Sequence, residues 1–134
     1  MAAAGIQQRV PAQAGQLRFL RRVVAQFAAE ECGNAAEMHD SLMLAVTEAC
    51  TNVILHAYAA GDRDRHIGLR AWVDRRHLQV EIRDHGVGVG QPSRNQGSGL
   101  ELALMRAIAE TRITTSAGTT VNLRFPREPL PATG

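Results

Sequence analysis

Two hydrophobic periods alternate along the chain, and the places where one gives way to the other mark out its elements. Residues 6–10 offer a short first strand, stopped by Pro11. From residue 16, Leu17, Leu20, Val23, Val24 and Phe27 recur at helical spacing while Arg18, Arg21 and Arg22 take other faces. An amphipathic helix is therefore expected to residue 31, with Cys32-Gly33-Asn34 ending it. A second helix is expected to start at Ala35 or Ala36 and to continue through Leu42, Ala45, Val46, Ala49, Val53 and Ile54 to Tyr58. After a polar loop over 59–65, the period changes to two. Strands are expected at 66–73 and 77–84, joined by the hairpin turn Asp74-Arg75-Arg76. Residues 91–99 are rich in Gly, Pro and polar residues and lead directly into a third helix over 100–110, with Leu102, Leu104, Met105 and Ile108 as its apolar positions. Strands at 112–116 and 119–125 close the pattern, and Pro126, Pro129 and Pro131 mark a frayed tail.

Helices and antiparallel hairpins in this order predict an α+β fold, a two-layer α/β sandwich with helices on one face of a mixed, mainly antiparallel sheet. At 134 residues, the expectation is a single domain over 1–134, its core over about 6–126 and a Pro-rich tail over 127–134, with no internal repeat. The 45% hydrophobic share with only 4% aromatic residues assigns the core to Ala, Val, Leu and Ile. A net charge of +2, with 15 basic residues scattered along the sequence, gives no basic stripe or aromatic platform, so direct nucleic-acid binding is not expected. Cys32 and Cys50 fit neither a metal-ligand spacing nor a disulfide framework, and no apolar run or leader stands out. A cytoplasmic protein that does not enter a membrane is the expectation.

Three polar patterns could carry chemistry. Glu48, Asn52 and His56 fall at i, i+4 and i+8, one stripe of the second helix, where a carboxylate and an amide one turn apart could hold a hydrated cation or set a base beside an acceptor. The same stripe would also suit plain solvation. Asp84 arrives at a strand end into Asp84-His85-Gly86-Val87-Gly88-Val89-Gly90, a turn with few side chains that lets backbone approach a ligand closely and equally suits an ordinary reversal. Gly97 and Gly99 precede the third helix, where backbone N–H groups could meet an anion, although the spacing is neither a P-loop nor a dinucleotide fingerprint. Gly118-Thr119-Thr120 opens the last strand.

Taken together, in order and separation, these patterns resemble the GHKL ATPase and kinase superfamily, the Bergerat fold of gyrase, histidine-kinase and MutL-type ATPase domains. Thr47-Glu48-Ala49-Cys50-Thr51-Asn52-Val53-Ile54-Leu55-His56-Ala57-Tyr58 resembles the N box in the form found in anti-sigma factor serine/threonine kinases. Asp84-His85-Gly86-Val87-Gly88 is similar to the G1 box, Gly97-Ser98-Gly99-Leu100 to the G2 box, and Gly118-Thr119-Thr120-Val121 to the closing Gly-Thr motif. The likeness runs from about Val10 to Phe125.

The resemblance implies roles residue by residue. Asp84 would accept a hydrogen bond from the adenine amino group, Gly86 and Gly88 would leave room for the base, and Thr119 would support the adenine end. Asn52 would ligate Mg²⁺ bridging the phosphates of ATP, and Gly97 and Gly99 would bring backbone close to those phosphates. Glu48 would be the catalytic base on a protein serine hydroxyl. It implies an anti-sigma factor that phosphorylates an anti-anti-sigma (STAS-type) partner, holds a sigma factor and forms a homodimer in common with its family. Glu101 stands where the G2 box usually has glycine, and the segment between Gly90 and Gly97 is short. Both leave open the alternative of a non-catalytic or weakly ATP-binding partner-switching module.

Overall fold

A computed structural model describes residues 5–33, 36–59, 61–86, 109–115 and 118–127. The glycine-rich loop over 91–99, the third helix up to residue 108 and the tail beyond residue 127 lie outside the described residues. Five strands form one sheet in the order β1-β2-β3-β5-β4: β1 Gly5–Pro11, β2 His66–Val73, β3 His77–Asp84, β4 Glu110–Thr114 and β5 Thr119–Pro126. Every one of the four pairings is antiparallel. Two helices, α1 Leu17–Cys32 and α2 Ala36–Asn52, cover one face. The architecture is the expected α+β sandwich.

The core follows from the two periods. Alternate strand positions Ile67, Leu69 and Ala71 on β2, Leu78, Val80 and Ile82 on β3, and Val121, Leu123 and Phe125 on β5 are buried. Leu20, Val24, Phe27 and Ala28 of α1 meet them together with Leu42, Ala45, Val46 and Ala49 of α2. Gly33 ends α1 at φ 83°, a left-handed value that suits glycine, and its N–H donates to Ala29 O at 3.2 Å. Asp74 builds the β2–β3 turn, its Oδ1 accepting from the N–H groups of Arg76 at 2.9 Å and His77 at 2.8 Å.

Two expected boundaries move. The strand expected from residue 112 already runs from Glu110 to Thr114, so the helix expected to residue 110 cannot extend that far. Pairing across the ladder decides this: Glu110 lies opposite Arg124, with its Oε1 3.4 Å from Arg124 Nη1, and Thr111 Oγ1 donates to Ala109 O at 3.0 Å. The second helix keeps its α geometry only to Asn52, after which Val53–Ala57 form a π-helical turn and Tyr58 is extended. A wider turn delays each following side chain by about one residue, roughly 100° around the axis. The stripe expected through His56 therefore ends at Asn52, and His56 is exposed.

Cys50 is fully buried in α2, and burial pushes its thiol up to about 12. Cys32, half-buried at the end of α1, is also raised by burial, with Arg127 pulling the other way. In the native protein, an aromatic disulfide reagent at neutral pH is expected to label Cys32 alone, and both thiols once denaturant is added; rapid native labelling of Cys50 would contradict the packing. Because Cys50 ionises above the ordinary thiol value of 9.0 when folded, its contribution to stability is complete below about pH 9 and is lost as pH rises toward 12. Replacing Cys50 with alanine should flatten that alkaline decline in urea titrations.

Candidate nucleotide site

Strand β3 ends by burying an acid. Asp84 is 5% exposed, the one buried charged residue among those described, and a buried carboxylate needs donors. It has two from backbone: Gly86 N–H at 2.9 Å and Thr119 N–H at 3.2 Å, both on Oδ1. The first turns the chain sharply after β3. The second ties that turn to the start of β5.

Glycine makes both approaches possible. A Cβ on Gly86 would overlap the carbonyl oxygen of Ala57, at the end of the π turn. One on Gly118 would overlap Asp84 O, and Gly118 stands at φ 105°, where L side chains are strained. Gly86 is thus fixed by the backbone packed against it, in addition to any room it leaves for a base. Thr119 serves Asp84 through its N–H.

Tyr58 completes the junction. Its hydroxyl donates to His66 O at 2.8 Å and accepts from His85 N–H at 2.9 Å, joining the exit of the π turn to the start of β2 and to the residue after Asp84. Sequence reasoning placed Tyr58 at the end of the N box and gave it no role. Its contacts come from residues far apart in the chain, and the only signal was its position as the last polar-tipped side chain before a loop.

Before the π turn, one helical turn apart, lie Asn52 and Glu48, both half-buried on α2. Asn52 Oδ1 is buried and receives no hydrogen bond. An inward amide oxygen of that kind fits a hard cation that takes oxygen ligands and keeps much of its water. Among the described residues, no cluster of His, Cys, Asp or Glu could hold a metal on its own, so any ion here would depend on oxygen from elsewhere. Hydrogen bonds bring Asp84, Gly86 and Thr119 together and Gly86 packs on Ala57, while Glu48 and Asn52 stand on α2 before the π turn, and Gly88, Gly97 and Gly99 lie outside the described residues. A groove of about 270 Å³ between α1 and α2, lined by Arg18, Arg21, Arg22, Ala25, His39 and Met43, shares no residue with this set.

Residues 10–125 match the histidine kinase-like ATPase domain. The chain belongs to that family. Within it, the histidine kinase-like chain is 30% identical over 132 residues to the serine-protein kinase RsbW of Bacillus subtilis, covering 87% of this chain and 81% of the relative. It is 35% identical over 71 residues to the anti-sigma F factor of Clostridium acetobutylicum, covering 53% of this chain and 48% of that relative. The chain therefore spans about half the length of the latter. Its fold matches the RsbU and RsbW domains of Rv1364c from Mycobacterium tuberculosis with a TM-score of 0.71 at 20% identity, over 98% of this chain and 35% of that one. It also matches the blue-light activated histidine kinase of Erythrobacter litoralis, with a TM-score of 0.52 at 23% identity, over 88% and 46% of the two chains. Among the described residues, no helix is long and apolar enough to cross a membrane.

Tyr58→Phe removes both hydroxyl bonds while keeping the ring, so it is expected to cost about 1–2 kcal/mol in urea denaturation. Gly118→Ala, which adds backbone strain and overlap, is expected to cost more. Equal stability of both variants and the parent would show that the junction is not held this way.

Proposed function

We propose that this chain is an ATP-dependent serine/threonine protein kinase and anti-sigma factor, which phosphorylates a STAS-type anti-anti-sigma partner and regulates transcription by partner switching. The observation that carries the nucleotide site is Asp84, a buried carboxylate at a strand end whose Oδ1 is held by two backbone donors. With Oδ1 so held, the carboxylate is oriented in advance to accept the adenine amino group, and orientation without reorganisation is what makes such an acceptor selective. Thr119 and Gly86 act through that carboxylate, and Gly88 would flank the base.

Asn52 would offer its buried oxygen to Mg²⁺, and Gly97 and Gly99 would pass backbone beside the phosphates. Bound Mg-ATP supplies the phosphoryl group and neutralises part of its charge. Glu48, one turn before Asn52, would orient the partner's serine hydroxyl and accept its proton. The names of the RsbW and anti-sigma F relatives support a kinase acting on a regulatory protein. The non-catalytic switching module is favoured by Glu101 in place of a G2-box glycine.

Millimolar Mg-ATP is expected to raise the melting temperature, and Asn52→Ala and Asp84→Ala to abolish the shift; a parent protein that does not respond would end the nucleotide-site assignment. With labelled ATP and a STAS-domain substrate, label should appear on a partner serine and fall by at least about 100-fold in Glu48→Ala, the scale of a lost general base. A thermal shift without transfer would select the non-catalytic module.

A further inference from the structure

Five of the arginines scattered in sequence, Arg9, Arg70, Arg83, Arg112 and Arg124, gather on one face of the sheet. Strand alternation sends Val10, Ile67, Ile82 and Val121 to the helices, and their neighbours Arg9, Gly68, Arg83 and Thr120 to the opposite, open face of the sheet. The register sets these four in one row across β1, β2, β3 and β5, with Thr114 of β4 beyond Thr120. Parallel rows on the same face carry Arg70, Arg112 and Arg124. Arg70 is neutralised by Glu81 at 3.6 Å, and Arg124 by Glu110 at 3.4 Å. Among the described residues, Arg9, Arg83 and Arg112 pair with no carboxylate.

Gly68 is the second observation. A Cβ there would meet nothing nearer than Arg83 O at 3.7 Å, an ordinary contact, and no positive φ requires glycine. Glycine inside a strand weakens it, and where packing does not demand one it often marks a place of close approach. Here it forms a floor between two exposed arginines whose Cα atoms stand two strand spacings apart, about 10 Å. Arg9 can turn inward over that floor, whereas Arg83 turns the other way, toward β5. Arg83 Nε already leans on Thr120 Oγ1 at 3.4 Å, which leaves the outer edge of its guanidinium for another acceptor.

We infer that the Arg9–Gly68–Arg83 row of the open sheet face is a docking site for a carboxylate-rich segment of a protein partner. Guanidinium forks match carboxylates in pairs, and the surplus of positive charge on this face calls for an acidic occupant. Nucleic acid fits less well, because the large aromatic ring on this face, Trp72, has the Arg70 guanidinium 4.9 Å from its centroid and offers no clear platform for a base. A second copy of the face would have only Glu81 and Glu110 to offer among the described residues, and Arg70 and Arg124 already hold them. The site is separate from the Asp84 junction, which looks toward the helices, and does not depend on nucleotide binding.

Trp72, the only tryptophan, shares this face and reports on it. Titrating the full chain with a hexaglutamate peptide at low salt is expected to change tryptophan fluorescence saturably, with hexaglutamine silent and the effect weakening as salt is added. Arg9→Glu and Arg83→Glu should each weaken binding at least about tenfold, equivalent to 1.4 kcal/mol, whereas Arg18→Glu in the α1–α2 groove should not. Gly68→Val should leave the protein as stable as the parent or more so, yet weaken binding by filling the floor; a purely structural glycine would show no binding loss. The assignment is overturned if hexaglutamate gives no change at millimolar concentration, if the Arg9 and Arg83 variants bind like the parent, or if a short single-stranded oligonucleotide binds more tightly than the peptide. It is equally overturned if sedimentation shows the face occupied by a second copy that Arg83→Glu releases.

Discussion

The buried carboxylate of Asp84 is the constraint on which the junction between β3 and β5 depends. An acid taken out of water must be met by donors, and here they are the backbone N–H groups of Gly86 and Thr119, on two segments separated by a long stretch of chain. Satisfying one oxygen thus fixes where β3 turns, where β5 begins and how close the two may come. The glycines follow from the same demand: Gly86 and Gly118 stand where neighbouring carbonyls leave no space for a side chain. What a family motif records as Asp-x-Gly and Gly-Thr is, in this chain, one hydrogen-bonded joint seen from its two ends.

Much of this fold can be read from periodicity because its strands bury one face and expose the other. β2 and β3 fall where alternation puts them, bounded by a turn whose Asp74 caps it locally. Errors arise where tertiary contacts override the local pattern. Glu110 has helical character in its own sequence window but is drawn into β4 by Arg124 across the ladder. The break in α2 after Asn52 is likewise invisible to a count of apolar positions, since Val53 and Ile54 suit either helix. Of the proposed site, Glu48, Asn52, Asp84 and Thr119 could be named from motif order. Tyr58 could not, because its two partners, His66 and His85, come together only when the sheet forms.

Charge illustrates a related limit. In sequence, the basic residues look dispersed and nearly balanced, and nothing suggests a patch. A sheet sums every second residue from each of its strands, so residues as distant in sequence as Arg9, Arg83 and Arg112 come to share one surface. The face that results differs from the helical face in chemistry as well as in position: one is apolar and closed, the other is a polar lattice with partial internal neutralisation.

The π turn at Val53–Ala57 acts as a phase shifter in a single rod. Upstream of it the helix presents Asn52 on one azimuth; downstream, the chain leaves on another, with Ala57 against Gly86 and Tyr58 reaching two strands. Deleting one residue from that turn would restore ordinary α winding, yet it would rotate the exit and pull Ala57 and Tyr58 away from Gly86 and His85. A length change of one residue is therefore worse tolerated here than most side-chain replacements, and the N box is constrained in its spacing as much as in its letters.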